Sequence, residues 1–294
     1  MKCVVFAYHD FGVAGLASLA SLAHMGVRIE RIFTHADQPH EKVWWASVAG
    51  WAAEHGVPCE LDADLKDPRV QAQIRSDAPD LILSFYYRKM IPTAVLELAR
   101  VGAVNLHGSL LPKFRGRSPV NWQLVHGVER SGLTLHRMVR QADAGEIIAQ
   151  QAVDVHPDQD ALGLTRQLLA IAPRFLDSAL ADLVAQRVHP IAQDATQATY
   201  FGGRTPADGM IDWRCSAREI HNLVRAVAPP WPGAFTTLAG RTLIVRRSAV
   251  AHESSRYGEP GMVLGNGTIA CGAGRLALLS LAWVDDEAPV ALVP

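Results

Sequence analysis

Asn105 and His107 stand two residues apart at the end of the apolar run Gly102–Leu106. The run opens into a loop rich in Gly and Pro, Gly108-Ser109-Leu110-Leu111-Pro112-Lys113-Phe114-Arg115-Gly116-Arg117-Ser118-Pro119. Residues two apart on a strand face the same side, so an amide and an imidazole project together. An amide N–H stabilises negative charge developing on an oxygen, commonly worth ~3 kcal/mol in acyl transfer. An imidazole moves protons near neutral pH, typically for ~10²–10⁴-fold. It needs a carboxylate to hold the ring and raise its pKa. Asp143, in the turn Asp143-Ala144-Gly145, offers one. Each piece also has an ordinary reading. Asn-x-His is a common structural pair, Asp-Ala-Gly a plain turn, and Lys113, Arg115 and Arg117 are solvated loop charges.

Such a pair needs a strand end that faces a loop, which is where open α/β sheets assemble their sites. The hydrophobic pattern predicts strands over 2–8, 27–34, 57–60, 80–85 and 102–106. Helices are predicted between them over 13–24, 42–55, 68–76 and 92–98. In the second helix Trp44, Val48, Trp51 and Ala52 would share one face. Alternating strands and helices point to a doubly wound, mostly parallel, Rossmann-like α/β sheet. The first turn, His9-Asp10-Phe11-Gly12-Val13-Ala14-Gly15, lacks the GxGxxG spacing of a dinucleotide site. A short helix over 120–125, a strand pair over 132–139 and 147–155 and a long helix over 165–184 follow. Polar residues near 190 mark a linker, so the predicted units are a catalytic domain at 1–190, a linker at 191–206 and a small C-terminal domain at 207–294. A short helix over 217–227 and strands broken by Gly-containing turns predict an open β-barrel of OB-like type there. No closing strand is expected after Trp283.

The 294 residues are 49% apolar and 19% charged, less charged than the usual ~25% and not the composition of a disordered chain. Lys plus Arg number 28 against 29 for Asp plus Glu, and a nucleic-acid binder usually carries a basic excess. Cys3, Cys59, Cys215 and Cys271 lie far apart, so no zinc ribbon or redox CxxC is expected. No metal site is expected either. The N-terminal apolar run is too short for a signal peptide and no transmembrane stretch is present, so a cytoplasmic protein is expected, with no membrane insertion.

Asn105 to Pro112, then Arg115-Gly116 and Pro119, then Asp143-Ala144-Gly145 resemble the signature of 10-formyltetrahydrofolate-dependent formyltransferases, and the family's pattern runs over essentially the whole chain. The resemblance implies formyl transfer from 10-formyltetrahydrofolate to an amine, without a metal. It implies a catalytic triad in which Asn105 stabilises the oxygen of a tetrahedral intermediate, His107 transfers protons, and Asp143 orients His107 and raises its pKa. It also implies folate binding by Lys89, Met90 and Ile91, by Arg117, and by Val139, Arg140, Gln141, Ala142 and Asp143.

Branches of the family differ in the amine they formylate. Val5–Asp10, Ile32–Trp44 and Ser84–Arg88 resemble the branch that acts on UDP-4-amino-4-deoxy-L-arabinose, in the formyltransferase half of bifunctional polymyxin-resistance enzymes of lipid A modification. Leu135–Val139, Phe201–Pro206 and Leu223–Val227 fit the same branch, which implies a nucleotide-linked amino sugar as acceptor. The alternative within the family is methionyl-tRNA formyltransferase, which calls for a basic C-terminal domain. Residues 207–294 instead carry eight Arg and eight acidic residues. An alternative of another class is a non-catalytic module that binds folate or nucleotide sugar.

Overall fold

The computed structural model describes residues 1–38, 43–265, 267–284 and 286–289. In chain order it runs β1 (Lys2–Ala7), α1 (His9–Ser21), β2 (Arg28–Thr34), α2 (Val48–Glu54), β3 (Cys59–Leu61), α3 (Pro68–Asp77), β4 (Leu81–Phe85), α4 (Thr93–Leu96) and β5 (Gly102–His107). Next come β6 (Arg115–Gly116), α5 (Pro119–Val125), β7 (Arg130–Arg137), β8 (Ile147–Asp154), α6 (Ala161–Val184), β9 (Tyr200–Phe201) and α7 (Ala217–Ala226). The chain ends in β10 (Ala234–Leu238), β11 (Arg241–His252), β12 (Thr268–Ala270), β13 (Arg275–Trp283) and β14 (Asp286–Pro289). Two compact units result. One holds residues 1–116, 132–153 and 167–200; the other holds 117–131, 154–166 and 201–294.

The first unit carries the expected sheet, seven strands in the order β3-β2-β1-β4-β5-β7-β8. The pairs β1–β2, β2–β3, β1–β4 and β4–β5 are parallel, and β5–β7 is antiparallel. Strand β1 is central, and Cys3 to Ala7 are wholly buried because helices cover both faces of a parallel sheet. The order reverses direction at β1, so β1 and β4 flank a topological switch point, where such sheets keep their ligand crevice. In register, Ala7 lies beside Phe85, and Phe85 beside Leu106. The segments that leave β1, β4 and β5 therefore emerge side by side. Helix α1 packs close against β4: a Cβ on Gly15 would stand 2.4 Å from the Phe85 ring.

Two expectations are corrected. The second helix occupies Val48–Glu54 and not 42–55, because the Ser47 side chain accepts from Gly50 N–H and caps it there. Trp44 therefore precedes the helix, and residue 42 lies outside the described residues. A further strand does follow Trp283: β14 pairs antiparallel with β13, Trp283 opposite Asp286.

The second unit is built on an antiparallel sheet in the order β10-β11-β13-β12, with β14 added on β13, the open-barrel architecture expected. Helix α7 begins in a capping box in which Ser216 and Glu219 satisfy each other's backbone N–H. Its buried face includes three polar residues, His221, Asn222 and Arg225.

Candidate active site

Asn105 and His107 occupy the last turn of the β5 pleat and face the same way. Across the antiparallel pair, Asn105 lies opposite His136 and His107 opposite Thr134. Asn105 Nδ2 is 3.1 Å from His136 Nε2 and 3.5 Å from Asp143 Oδ1. His136 Nδ1 is 2.8 Å from the Arg137 carbonyl, which only accepts, so Nδ1 donates there and Nε2 accepts from Asn105. His107 is turned by the same logic. Its Nε2 donates to the Phe114 carbonyl at 2.7 Å, which leaves Nδ1 facing Asp143 Oδ2 at 3.8 Å.

Asp143 joins these groups. Its Oδ2 accepts from Gly116 N–H at 2.8 Å, and its Oδ1 is 3.4 Å from His136 Nε2. Its backbone is left-handed, φ 54°, a conformation that Asp and Asn tolerate better than most residues. The turn closes tightly, because Gly145 packs on the Arg137 carbonyl where a Cβ would stand 2.1 Å away. Burial pushes the Asp143 carboxyl up, but the charge of His107, the contact with His136 and the hydrogen bond from Gly116 N–H outweigh it. The carboxyl is held ionised, well below the usual range. His107 titrates below the ordinary histidine value. Burial is the larger influence there, and Asp143 opposes it in the expected direction without reversing it. Asp143 thus acts on His107 in the expected direction, and burial decides the net shift.

Two members of this cluster were not singled out as site residues from the sequence. His136 becomes visible only once β7 is paired antiparallel with β5. Gln193, read as part of a polar linker, makes four hydrogen bonds within the first unit. Its Oε1 accepts from Arg115 Nε (3.1 Å) and Nη2 (2.7 Å), and its Nε2 donates to the carbonyls of Asp143 (2.8 Å) and Gly145 (2.6 Å). Arg115 is accordingly buried, and not a solvated loop charge.

The residues expected to bind folate lie in several places. A cavity of about 650 Å³ in the first unit is lined by Leu96, Gly102, Ala103, Met138, Val139 and Arg140, among others. Val139 and Arg140 thus line it, while Lys89, Met90, Ile91, Gln141, Ala142 and Asp143 do not. Ile91 is buried in the core with Phe6, Ile82 and Val95. Met90 is 66% exposed, and Lys89 Nζ reaches Asp62 Oδ1 at 3.4 Å. Arg117 belongs to the second unit, where its guanidinium lies against Gly203. Among the described residues, no group of three or more His, Cys, Asp or Glu could hold a metal ion, and no helix is long and apolar enough to cross a membrane.

A formyl transferase family model matches residues 16–180, and a model for the C-terminal domain of formyl transferases matches residues 204–287. The chain belongs to the formyl transferase family. Solved structures share the fold of this formyltransferase. WlaRD, a sugar 3N-formyl transferase solved with dTDP and 5-N-formyl-THF, aligns with a TM-score of 0.72 at 16% identity, over 97% of this chain and 98% of that one. An N-formyltransferase from Helicobacter canadensis, in complex with folinic acid and dTDP-3-aminofucose, aligns with a TM-score of 0.71 at 16% identity, over 94% and 97%. The methionyl-tRNA formyltransferase of Clostridium thermocellum aligns with a TM-score of 0.55 at 16% identity, over 85% and 93%.

Proposed function

We propose that this formyltransferase moves the formyl group of 10-formyltetrahydrofolate to the amine of a nucleotide-linked amino sugar, with UDP-4-amino-4-deoxy-L-arabinose as the first acceptor to test. The observation that carries the chemistry is the cluster of Asn105, His107, His136 and Asp143 at the β5 end. It combines an amide donor, a neutral imidazole and a carboxylate held ionised.

The neutral amine attacks the formyl carbon, and negative charge builds on the formyl oxygen. Asn105 Nδ2 answers it with the hydrogen aimed along the longer, 3.5 Å contact to Asp143, which a formyl oxygen displaces at little cost. The amine's proton passes to His107 at Nδ1, the nitrogen that carries none in the observed tautomer. The imidazolium then lies between the Phe114 carbonyl and the Asp143 carboxylate. The carbon–nitrogen bond to the folate breaks, and His107 returns the proton to the departing nitrogen. The cavity beside Val139 and Arg140 suits the folate's flat heterocycle, an apolar slot edged with polar groups.

For the acceptor, two points favour a sugar nucleotide over tRNA. The similar structures include sugar N-formyltransferases. Residues 207–294 carry as many acidic as basic side chains, a poor surface for an acceptor stem. The test is a panel in which 10-formyltetrahydrofolate is offered with UDP-4-amino-4-deoxy-L-arabinose, a dTDP-amino sugar and methionyl-tRNA. Formylation of a sugar amine is the expected result. Formylated methionyl-tRNA would overturn the acceptor assignment, and folate binding without turnover of any amine would overturn the chemistry.

A further inference from the structure

A line of hydrogen bonds crosses the other side of the sheet edge. Asp62, just past β3, accepts from Ala36 N–H through Oδ2 (3.1 Å) and faces His35 Nδ1 through Oδ1 (3.2 Å). His35 follows β2 and is 8% exposed. Its Nε2 is 3.2 Å from the backbone nitrogen of Arg88, three residues past β4. A backbone N–H only donates, so Nε2 is the accepting nitrogen and the ring proton sits on Nδ1, toward Asp62. The ring is stacked on Tyr87 (4.2 Å between centroids) and meets Tyr8 edge-on (5.5 Å). With strands in the order β3-β2-β1-β4, this line reaches over the end of β1 and pins the turn that leaves β4. Asp62 Oδ1 also takes Lys89 Nζ at 3.4 Å, so one carboxylate steadies the turn twice.

We propose that His35, held by Asp62, is a positioning residue that fixes the Tyr86–Ile91 turn for binding of the formyl donor. This rests on the reading above that the donor is a formyl-folate, and on the place of the turn at the β1–β4 switch point, where such sheets keep their ligand crevice; the resemblance implies folate contacts at Lys89, Met90 and Ile91. The role requires a neutral ring, since a proton on Nε2 would oppose the Arg88 N–H. The groups that face the ring are Asp62 past β3, Tyr87, Arg88 and Lys89 past β4, and Tyr8 past β1. Burial, more than Lys89 and Arg88, lowers the His35 pKa, and Asp62 opposes the fall. The turn is therefore held at neutral pH and released as pH falls through a value below the ordinary histidine value of about 6.5.

The experiment titrates the full chain with 5-formyltetrahydrofolate and follows steady-state transfer in parallel. His35→Ala is expected to weaken donor binding and raise the donor KM about tenfold, the worth of one buried hydrogen bond. The acceptor KM should hold, and kcat at saturating donor should stay within about twofold. His35→Gln supplies an accepting oxygen and a donating amide but does not titrate. It should restore most of the affinity and abolish the acid weakening seen in the parent. Asp62→Ala, at a more exposed position, gives the same pattern with smaller amplitude and serves if His35→Ala does not fold. Unchanged donor affinity in both alanine variants would overturn the proposal, as would an acid weakening that persists in His35→Gln. A parent chain that does not bind the probe would instead overturn the donor reading, and this inference falls with it.

Discussion

In the first unit, His107 and His136 are buried around Asp143 and Asn105. In the second, His221 is buried with Nδ1 3.1 Å from Ser248 Oγ and Nε2 3.5 Å from Asp158 Oδ1. Both regions hold a buried histidine of lowered pKa beside a carboxylate, His107 in the first and His221 in the second, with an asparagine near it. They differ in what the polar groups are attached to. Around His221, Asn222 Oδ1 accepts from Arg225 Nε at 2.9 Å, and Arg225 Nη1 donates to the Gln159 carbonyl at 3.0 Å. Asn121 donates to the Ala226 carbonyl at 2.6 Å. These bonds tie α5 and α7 to each other and to 156–159, and the partners lie at helix faces. Around His107 the partners lie at strand ends, beside a left-handed Asp143 and a turn with no room for a side chain. A buried His–carboxylate pair thus marks chemistry only where it stands at the edge of the sheet with strained backbone beside it.

The largest test of that contrast is Asp143→Asn, which keeps the turn and removes the charge. We expect turnover to fall ~10²–10⁴-fold, and His107→Ala to match it, with the thermal midpoint nearly unchanged. Near-parental turnover in either purified variant would erase the distinction between the two networks. In the second unit the effect should fall on stability instead. Arg225→Ala leaves Asn222 without its partner in a buried setting, and we expect a loss of about 2–4 kcal/mol in denaturant unfolding, with turnover per folded molecule preserved. Gln193→Ala frees the Asp143 turn from below, with an expected tenfold or so loss in kcat. Gln193→Glu, which still accepts from Arg115 but cannot donate to the two carbonyls, should behave like the alanine variant.

The smallest effects concern pH. Burial keeps His107 neutral, so turnover should fall as pH drops through a value below the ordinary histidine one. Asp143 opposes that lowering, so in the residual activity of Asp143→Asn the acid limb should move to still lower pH. A flat profile in the parent would count against His107 as proton acceptor. Burial, aided by Arg225, also lowers the His221 pKa. A group depressed in the folded state contributes stability that is present above its unfolded value and lost as pH falls through the folded one. Acid unfolding curves of His221→Gln should therefore be flatter than those of the parent in that range.

Much of the site was legible because strand parity is legible. The apolar run before Asn105 fixed a strand, and period two placed Asn105 and His107 on one face. The alternation of strands and helices gave the sheet that carries them. What could not be read was whatever depends on pairing between distant segments. His136 is a site residue only because β7 runs antiparallel to β5 in one register. Gln193 reads as linker because its three partner residues lie 48 to 78 residues away in sequence. Apolar spacing alone extends the second helix to Trp44, but the Ser47 cap starts it at Val48. β14 was missed because Asp286 and Glu287 mask a short edge strand behind polar residues.

Each titratable member of the cluster is moored once to the main chain: His107 to the Phe114 carbonyl, His136 to the Arg137 carbonyl, Asp143 to the Gly116 amide. No side-chain replacement at 114 or 137 deletes the two carbonyl moorings, and at 116 only proline removes the amide. Alanine scans will accordingly leave the carbonyl moorings in place, while Phe114 (φ 59°) and Gly116 (φ 99°) hold backbone conformations that most side chains adopt only with strain. The worth of the moorings is measurable only by altering the backbone itself, for instance by exchanging the Arg115–Gly116 amide for an ester in a semisynthetic chain.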